Sequence, residues 1–121
     1  MELTQKHCVP CEGGTPPFSN EQEDAYIKET PSWTLDRENI HRLQKRFKFK
    51  NFKEAIQFVN KIAYLAEAEG HHPDICISYN KIDFNLFTHA VGGLSENDFI
   101  MAAKIDKLNG EQNKFQQKII G

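Results

Sequence analysis

The sequence predicts an α+β fold, a four-stranded antiparallel sheet with two long helices packed on one face plus a short N-terminal helix. Two observations lead to this prediction. Apolar residues recur at helical spacing in two long segments, and they alternate with polar residues in several shorter ones. These segments follow one another in the order α-β-β-α-β-β-α. An antiparallel sheet that is covered by helices on one side accommodates this order.

The length and composition are those of one globular domain. The chain has 121 residues, of which 39% are hydrophobic and 26% charged, with a formal net charge of -2. It has no long basic run, so no nucleic-acid partner is expected. No apolar stretch reaches the roughly 20 residues that span a bilayer, and the N-terminus lacks the apolar region of a signal peptide. We therefore expect a cytoplasmic protein without a membrane segment.

The chain divides into three parts. Residues 1–18 are expected to form an irregular leader, because they end in paired glycines and paired prolines. Residues 19–109 contain the periodic segments and are expected to form a single domain. Residues 110–121 are expected to be a polar C-terminal extension, since the regular helix is predicted to end near Asn109-Gly110.

Two of the three cysteines, Cys8 and Cys11, form a C-x-x-C in the leader. An odd number of cysteines argues against a disulfide framework. The spacing can supply half of a zinc site or a redox pair, but no second ligand pair and no βαβ pattern accompany it. We expect the leader to be a mobile arm, and a deletion of residues 1–12 to leave the activity of the domain largely intact.

The first predicted elements are a short helix and two strands. Ser19 opens a capping-box pattern that predicts a helix over residues 20–29, and Pro31 ends it. A short strand is predicted at residues 33–35 and a longer one at residues 42–50, where apolar residues alternate with lysine and arginine. The side chains of the longer strand that are expected to face the helices are Leu43, Phe47 and Phe49.

The two long helices each begin with a capping signal. Asn51 caps the first, which is predicted to run to Glu69 and to end at Gly70, where a left-handed conformation costs little. Ser95 and Asp98 cap the second. Apolar residues recur in both at the spacing of a buried helix face. The predicted buried faces consist of Phe52, Ala55, Ile56, Val59, Ile62, Ala63 and Ala66, and of Phe99, Ala102, Ala103 and Ile105.

A β-hairpin is predicted between these helices. Two apolar runs, Ile75–Tyr79 and Ile82–Phe87, flank Asn80-Lys81, which is a typical composition for a two-residue loop. If the residues on either side of this loop pair, the register places His72 opposite His89. Directly opposed residues in an antiparallel ladder have Cβ atoms about 4.5–5.5 Å apart.

Three of the five histidines thereby converge on one place: His71, His72 and His89. Imidazole is a common metal ligand, and Glu67 and Asp74 lie close in sequence, so a metal site is one interpretation. Adjacent residues of an extended chain point to opposite sides, which makes a shared ion difficult for the first two. The other interpretation is acid–base catalysis, because an unperturbed imidazole has a pKa of about 6.5.

The motifs around these histidines resemble those of the pterin-4a-carbinolamine dehydratase family. E-x-x-x-H-H-P begins at Glu67, Y-N-K at Tyr79, and T-H-x-x-G-G-L-S-x-x-D at Thr88. The upstream W-x-L and F-x-F-x-x-F motifs also match, and the leader C-V-P-C-E-G-G is similar to that of many bacterial members. The resemblance covers residues from about 31 to 108, and the combined pattern is highly specific.

The resemblance implies a cytoplasmic enzyme with no metal or organic cofactor. Such an enzyme dehydrates a 4a-hydroxytetrahydropterin, the product of a pterin-dependent aromatic amino-acid hydroxylase, to the quinonoid dihydropterin, from which a reductase regenerates the tetrahydropterin. By the family match, His71, His72 and His89 are the acid–base set that also orients the substrate. The resemblance further implies that the site includes Glu67, Pro73, Thr88, Asp98 and Trp33.

Alternatives to the individual roles and to the function remain. Asp98 also suits a purely capping role, and Trp33 a place in the core. A non-catalytic binding or dimerisation module on the same fold is the alternative function, although such a module has no need of three histidines together. A metal-dependent hydrolase is a third class, which metal analysis of the purified protein separates from the other two.

The predicted sheet has one face that the helices do not cover. In its last strand, Phe84 and Leu86 share one parity and Phe87 takes the other, so both faces are expected to be at least partly buried. Large exposed apolar patches are rare in monomers. The family resemblance also indicates dimers that pair into tetramers. We therefore expect a homodimer or homotetramer, with the tetramer favoured.

Overall fold

The computed structural model describes the backbone of residues 1–120 and the side chains of residues 1–112. Within these residues the chain forms the predicted α+β fold of three helices and a four-stranded antiparallel sheet. The elements are α1 (Asn20–Ile27), β1 (Thr34–Asp36), β2 (Arg42–Lys48), α2 (Phe52–Glu69), β3 (Asp74–Ser78), β4 (Lys81–Leu86) and α3 (Glu96–Ile120), with 3₁₀ turns at Leu3–Gln5 and His89–Val91.

The strand order in the sheet is β1-β2-β4-β3, so the two longest strands are central and β3 lies at an edge. Inward-facing side chains of β2 and β4 meet α2 in an aromatic cluster. The Phe58 ring lies 5.3 Å from that of Phe47 and 6.1 Å from that of Phe84, measured between ring centroids. This cluster attaches α2 to the sheet and thereby determines where the end of α2 lies relative to the end of β4.

The predicted buried face of α2 is partly wrong. Phe58 is fully buried and was not predicted, whereas Phe52 is 50% exposed and Ala63 is also exposed. At about 100° per residue, Phe58 lies about 60° to one side of Ala55 and Phe52 about 60° to the other. The sheet covers the Phe58 side. Periodicity alone identifies the centre of the buried face, but it does not show toward which side of that centre the sheet lies.

Local capping signals place the helix boundaries well. Ser19 and Gln22 form the predicted capping box at α1, which ends at Ile27. The Asn51 side chain accepts a hydrogen bond from the Glu54 N–H at the start of α2. Gly70 ends α2 with φ 65°, the left-handed conformation expected of it. These boundaries follow from residues that are adjacent in sequence, which explains why they could be predicted.

The predicted end of the last helix near Asn109-Gly110 is wrong, because α3 continues to Ile120. Glycine inside a helix costs only about 1 kcal/mol relative to alanine, and no proline follows it. One tertiary contact also supports the continuation. Gln112 is buried, and its Nε2 lies 3.5 Å from the backbone oxygen of Glu54 on α2.

The leader, residues 1–18, is not the free arm that the sequence led us to expect. Leu3 is buried in the core, and Lys6 forms an ion pair with Glu96 on α3 at 2.8 Å. Farther along, the Phe18 N–H donates to the Leu94 carbonyl oxygen at 2.8 Å. These partners are more than 70 residues away in sequence, so the sequence carries no local sign of them.

The predicted register of the hairpin is also wrong. The loop is Tyr79-Asn80, and Ser78 pairs with Lys81. Tyr79 adopts φ 53°, which is uncommon for a residue with a side chain. The Asn80 amide donates to the carbonyl oxygen of Phe49 at 2.8 Å, and the Phe49 N–H donates to the Asn80 carbonyl oxygen at 2.8 Å. This contact with the end of β2 favours the shifted loop, and His72 and His89 are not a ladder pair.

The outer face of the sheet is more polar than predicted. Along β4 the residues that face away from the helices are Lys81, Asp83 and Asn85, and Arg46 of β2 bonds to the Asp83 carboxylate at 2.8 Å. The one apolar residue of this parity, Phe87, lies just beyond the strand. Among the described residues, no helix is both long and apolar enough to cross a bilayer.

Candidate active site

Two turns at one end of the sheet bring the three histidines together. His71 and His72 follow Gly70, where the left-handed conformation at the end of α2 redirects the chain. His89 begins the 3₁₀ turn after β4, which Gly92 closes with φ 71°. All three line one cavity of about 360 Å³. The other lining residues are Val9, Pro10, Cys11, Gly70, Pro73, Asp74, Phe87, Thr88, Ala90 and Asn97.

A buried carboxylate holds the ring of His71. His71 Nε2 lies 2.7 Å from Oδ1 of Asp98, whose side chain is fully buried at the start of α3. The Thr88 hydroxyl and the Ser95 N–H donate to Asp98 Oδ2 at 2.8 and 3.0 Å. Since the carboxylate accepts all three hydrogen bonds, the His71 proton lies on Nε2. The neutral ring then has a bare Nδ1 that can take up a proton.

His72 and His89 are exposed to solvent in different surroundings. His72 Nε2 lies 3.2 Å from Oε2 of Glu67, and both side chains are exposed. The His89 ring packs against Phe87 with a centroid distance of 4.2 Å. No hydrogen bond to the His89 ring is found in the part of the chain that the structure describes, and the residue is exposed.

The structure separates Trp33 from the other predicted site residues. Glu67 contacts His72, Pro73 and Thr88 line the cavity, and Asp98 lies behind His71. Trp33 instead lies in the core, where its indole N–H donates to Asp106 at 3.1 Å. The sequence left a core role open for this tryptophan, and its burial and its bond to Asp106 on α3 agree with that role.

The sequence did not predict that the leader lines the cavity. Val9, Pro10 and Cys11 all contribute to its lining, as does Asn97 in the first turn of α3. The position of Asn97 beside Asp98, a predicted site residue, was the signal that could have indicated that it lies near the cavity. No feature of the leader other than its similarity to bacterial relatives pointed to this role.

The contact between the leader and Glu69 shifts the pKa values of Glu69 and Cys8. Burial by itself raises the pKa of Glu69, but hydrogen bonds from Lys104, from the Cys8 N–H and from His7 outweigh it and hold the pKa at about 2. Burial, together with the nearby carboxylates of Glu69 and Asp98, raises the pKa of the Cys8 thiol to about 12.

This environment bears on whether Cys8 and Cys11 form half of a zinc site or a redox pair. A thiol with so high a pKa stays protonated near neutral pH, and the thiolate is the form that binds zinc and attacks disulfides. The described side chains also include no group of three or more His, Cys, Asp or Glu that could hold a metal ion. The surroundings of Cys8 therefore favour a structural role for this thiol.

Comparison with known proteins gives a consistent match. The family model described as "Pterin 4 alpha carbinolamine dehydratase" matches residues 16–108. A protein of Alkaliphilus metalliredigens that carries the name "Putative pterin-4-alpha-carbinolamine dehydratase" is 49% identical over 110 residues, which is 90% of this chain and 97% of that protein. The family match covers the cavity residues from Gly70 to Asn97, whereas Val9, Pro10 and Cys11 precede it.

Two solved structures have the same fold at 28% sequence identity. One, from Brucella melitensis, is described as a transcriptional coactivator/pterin dehydratase; it has a TM-score of 0.71 and covers 76% of this chain and 97% of its own. The other is described as a pterin dehydratase-like protein that is a RuBisCO assembly factor in the alpha-carboxysome. It has a TM-score of 0.57 and covers 65% of this chain and 90% of its own.

Proposed function

Because this chain belongs to the pterin 4 alpha carbinolamine dehydratase family, we propose that it removes water from a 4a-hydroxytetrahydropterin to give the quinonoid dihydropterin. The observation that carries this proposal is the convergence of His71, His72 and His89 on one cavity, with a buried carboxylate behind the first of them. The product of pterin-dependent aromatic amino-acid hydroxylation is then the substrate, and the reaction serves tetrahydropterin recycling.

The reaction needs one acid and one base and no electron donor. The bond between C4a and its hydroxyl oxygen breaks, and the hydroxyl leaves as water after it receives a proton from the acid. The base takes the proton from N5, and the electrons of the N5–H bond form the double bond between N5 and C4a. The protein gives one proton and takes one, so its net charge does not change. The two groups then recover their starting protonation states by exchanging protons with solvent. Histidine suits both tasks near neutral pH.

We assign the base to His71. Its Nε2–H donates to Asp98, which leaves Nδ1 free to accept the N5 proton. The imidazolium that forms is then paired with a carboxylate in a buried setting, where a charge–charge interaction is stronger than in water. Asp98 is in turn held by Thr88 and Ser95, so the ring is oriented before the substrate arrives.

The acid is supplied by the two exposed imidazoles. His72 Nε2 lies beside the Glu67 carboxylate, and His89 has both nitrogens available to the substrate's hydroxyl. The pterin ring system fits the cavity by size, because small-molecule sites are usually about 300–1,000 Å³. Phe87 and Pro73 supply apolar surface for its faces. The carboxylate of Glu67, which lies beside His72, suits the amino group at its donor edge.

The assay that tests this proposal measures the loss of the 4a-carbinolamine absorbance that a pterin-dependent hydroxylase generates. The purified protein is expected to accelerate this loss without added metal and in the presence of EDTA. An uncatalysed rate would overturn the dehydratase proposal and favour a binding or dimerisation module on the same fold. The names of the two structural relatives include a coactivator and an assembly factor, so this outcome is a meaningful alternative.

A further inference from the structure

The leader lies against the cavity at three consecutive residues, Val9, Pro10 and Cys11, which we call the leader wall. These residues come from the part of the chain that was expected to be dispensable. Val9 is 65% exposed and Pro10 is also exposed, so neither side chain is buried in the core. Ordering a chain segment costs free energy, and burial of these two side chains does not supply it.

The free energy comes instead from a polar clamp. Asn97 is buried, and its side-chain amide bonds to both backbone groups of Val9. The amide Nδ2 donates to the Val9 carbonyl oxygen at 2.6 Å, and the Val9 N–H donates to Oδ1 at 3.0 Å. Nδ2 also lies 3.4 Å from Sγ of Cys11. All three side-chain hydrogen bonds that the described residues give to Asn97 thus go to the leader wall.

A second anchor holds the residue before the wall. The Cys8 N–H donates to Oε1 of Glu69 at 2.8 Å, and Lys104 holds the other oxygen at 2.7 Å. In the sequence, the two anchoring residues are neighbours of the proposed base, His71, and of the carboxylate that binds it, Asp98. Glu69 lies two residues before His71, and Asn97 is adjacent to Asp98. The leader wall and the His71–Asp98 pair are therefore positioned by the same two helix ends.

We propose that the leader wall is part of the pterin site: Val9–Cys11 encloses the bound substrate, and Asn97 is the positioning residue that holds this wall in place. The proposal deepens the proposed function and rests on it. Without the wall, one side of the cavity opens to water while the three histidines stay where they are. The wall therefore contributes substrate binding equally in the ground state and the transition state, and its loss raises KM rather than lowering kcat.

The test uses the full chain with two single variants. Val9→Trp places a large side chain in the cavity from an exposed position, so the fold tolerates it. Asn97→Ala removes both hydrogen bonds to Val9 and releases the wall. For each variant, a KM at least about fivefold above that of the wild type is expected, with kcat changed by less than about threefold. The dissociation constant of a non-reacting tetrahydropterin, measured by calorimetry, should rise in parallel.

Gln5→Trp is the matched control, because Gln5 is an exposed leader residue that does not line the cavity. Its KM is expected to equal that of the wild type. If Val9→Trp also keeps the wild-type KM and affinity, the leader wall is not part of the site. If Asn97→Ala lowers kcat with KM unchanged, Asn97 acts through the His71–Asp98 pair and the proposed wall role is overturned.

These outcomes separate the two proposals. A wild-type protein without dehydratase activity contradicts the proposed function, whatever the leader does. A wild-type protein that is active and whose KM is insensitive to both substitutions contradicts the wall alone. Should Asn97→Ala fail to fold, Val9→Trp decides the question, since its side chain is exposed and its backbone contacts with Asn97 remain.

Discussion

His71 Nε2 lies 2.7 Å from Oδ1 of Asp98, and the Asp98 side chain is fully buried. This pair joins the turn after α2 to the first turn of α3, two segments that are 27 residues apart in sequence. It also combines two roles that the sequence presented as alternatives. The Asp98 carboxylate accepts the Ser95 N–H, which is a helix-capping contact, and it orients a histidine of the cavity.

The substitution Asp98→Asn is expected to reverse the proton position on His71. Since Thr88 and the Ser95 N–H both donate to Oδ2, the amide oxygen must take that position, and the amide NH₂ then faces His71. The ring must accept at Nε2 and carry its proton on Nδ1, so it can no longer act as the base. We expect kcat to fall roughly 10- to 100-fold, as judged by steady-state assays over a range of pH.

The matched control for this substitution is Asp106→Asn. Asp106 also lies on α3, but it binds Trp33 and Lys45 away from the cavity. Its substitution is expected to lower the melting temperature while kcat stays within about twofold of the wild type. Equal losses of kcat in the two variants would mean that damage to α3, and not the proton position on His71, explains the effect.

The depressed pKa of Glu69 predicts how stability depends on pH. Its folded-state pKa of about 2 lies below the ordinary value of 4.5, so the unfolded state binds the proton more readily. The contribution of Glu69 is fully present above pH 4.5 and is lost as the pH falls toward 2. The loss amounts to about 3 kcal/mol in the free energy of unfolding if the whole shift is realised.

Urea denaturation of the wild type and of Glu69→Gln between pH 7 and pH 2 measures this contribution. The wild type should be more stable at pH 7, and the difference between the two proteins should shrink as the pH falls below about 4.5. Other carboxylates contribute equally to both proteins and cancel in the difference. A difference that does not change with pH would show that Glu69 is not the titrating group.

The aromatic cluster under α2 predicts a large and position-specific loss of stability. Phe58→Ala empties a fully buried site between Phe47 and Phe84 and is expected to cost about 3–5 kcal/mol. Phe52→Ala removes the same side chain from a half-exposed position and is expected to cost less than about 1 kcal/mol. Thermal unfolding distinguishes them, and similar losses for both would contradict the observed orientation of α2.

The association state remains a prediction of a homodimer or homotetramer. Because the outer face of the sheet is polar, it no longer supports association, but two other surfaces do. The edge strand β3 has unpaired backbone groups and exposes Ile77, and the outer side of α2 exposes Tyr64 and Phe52. Light scattering on a size-exclusion column should give a mass of at least two chains. A mass near 14.0 kDa would show a monomer.

The sequence predicted what depends on residues close together in the chain. Capping residues such as Ser19, Asn51 and Gly70 act within one helical turn, so the helix boundaries that they set were predicted well. Alternation of apolar residues in the strands likewise depends on neighbouring positions. Together with the short spacing of His71 and His72 from the end of α2, these signals were enough to place the candidate site at that end of the sheet.

What the sequence missed depends on contacts across the fold. The hairpin register was wrong because Asn80 bonds to Phe49, 31 residues earlier, and this contact favours a loop in which Tyr79 takes a positive φ. The part played by the leader was missed because Val9 bonds to Asn97, 88 residues later. Pairings at such distances leave no periodic signal, since each partner alone is an ordinary polar or apolar residue.

We infer that the three histidines of the cavity carry out the dehydration. The most direct measurement compares the decay of the 4a-carbinolamine in EDTA with the wild type and with a variant in which His71, His72 and His89 are all alanine. We expect the wild type to accelerate the decay and the variant, with an unchanged circular dichroism spectrum, to leave it at the uncatalysed rate. A folded variant that retains the wild-type acceleration would show that these histidines do not carry out the reaction.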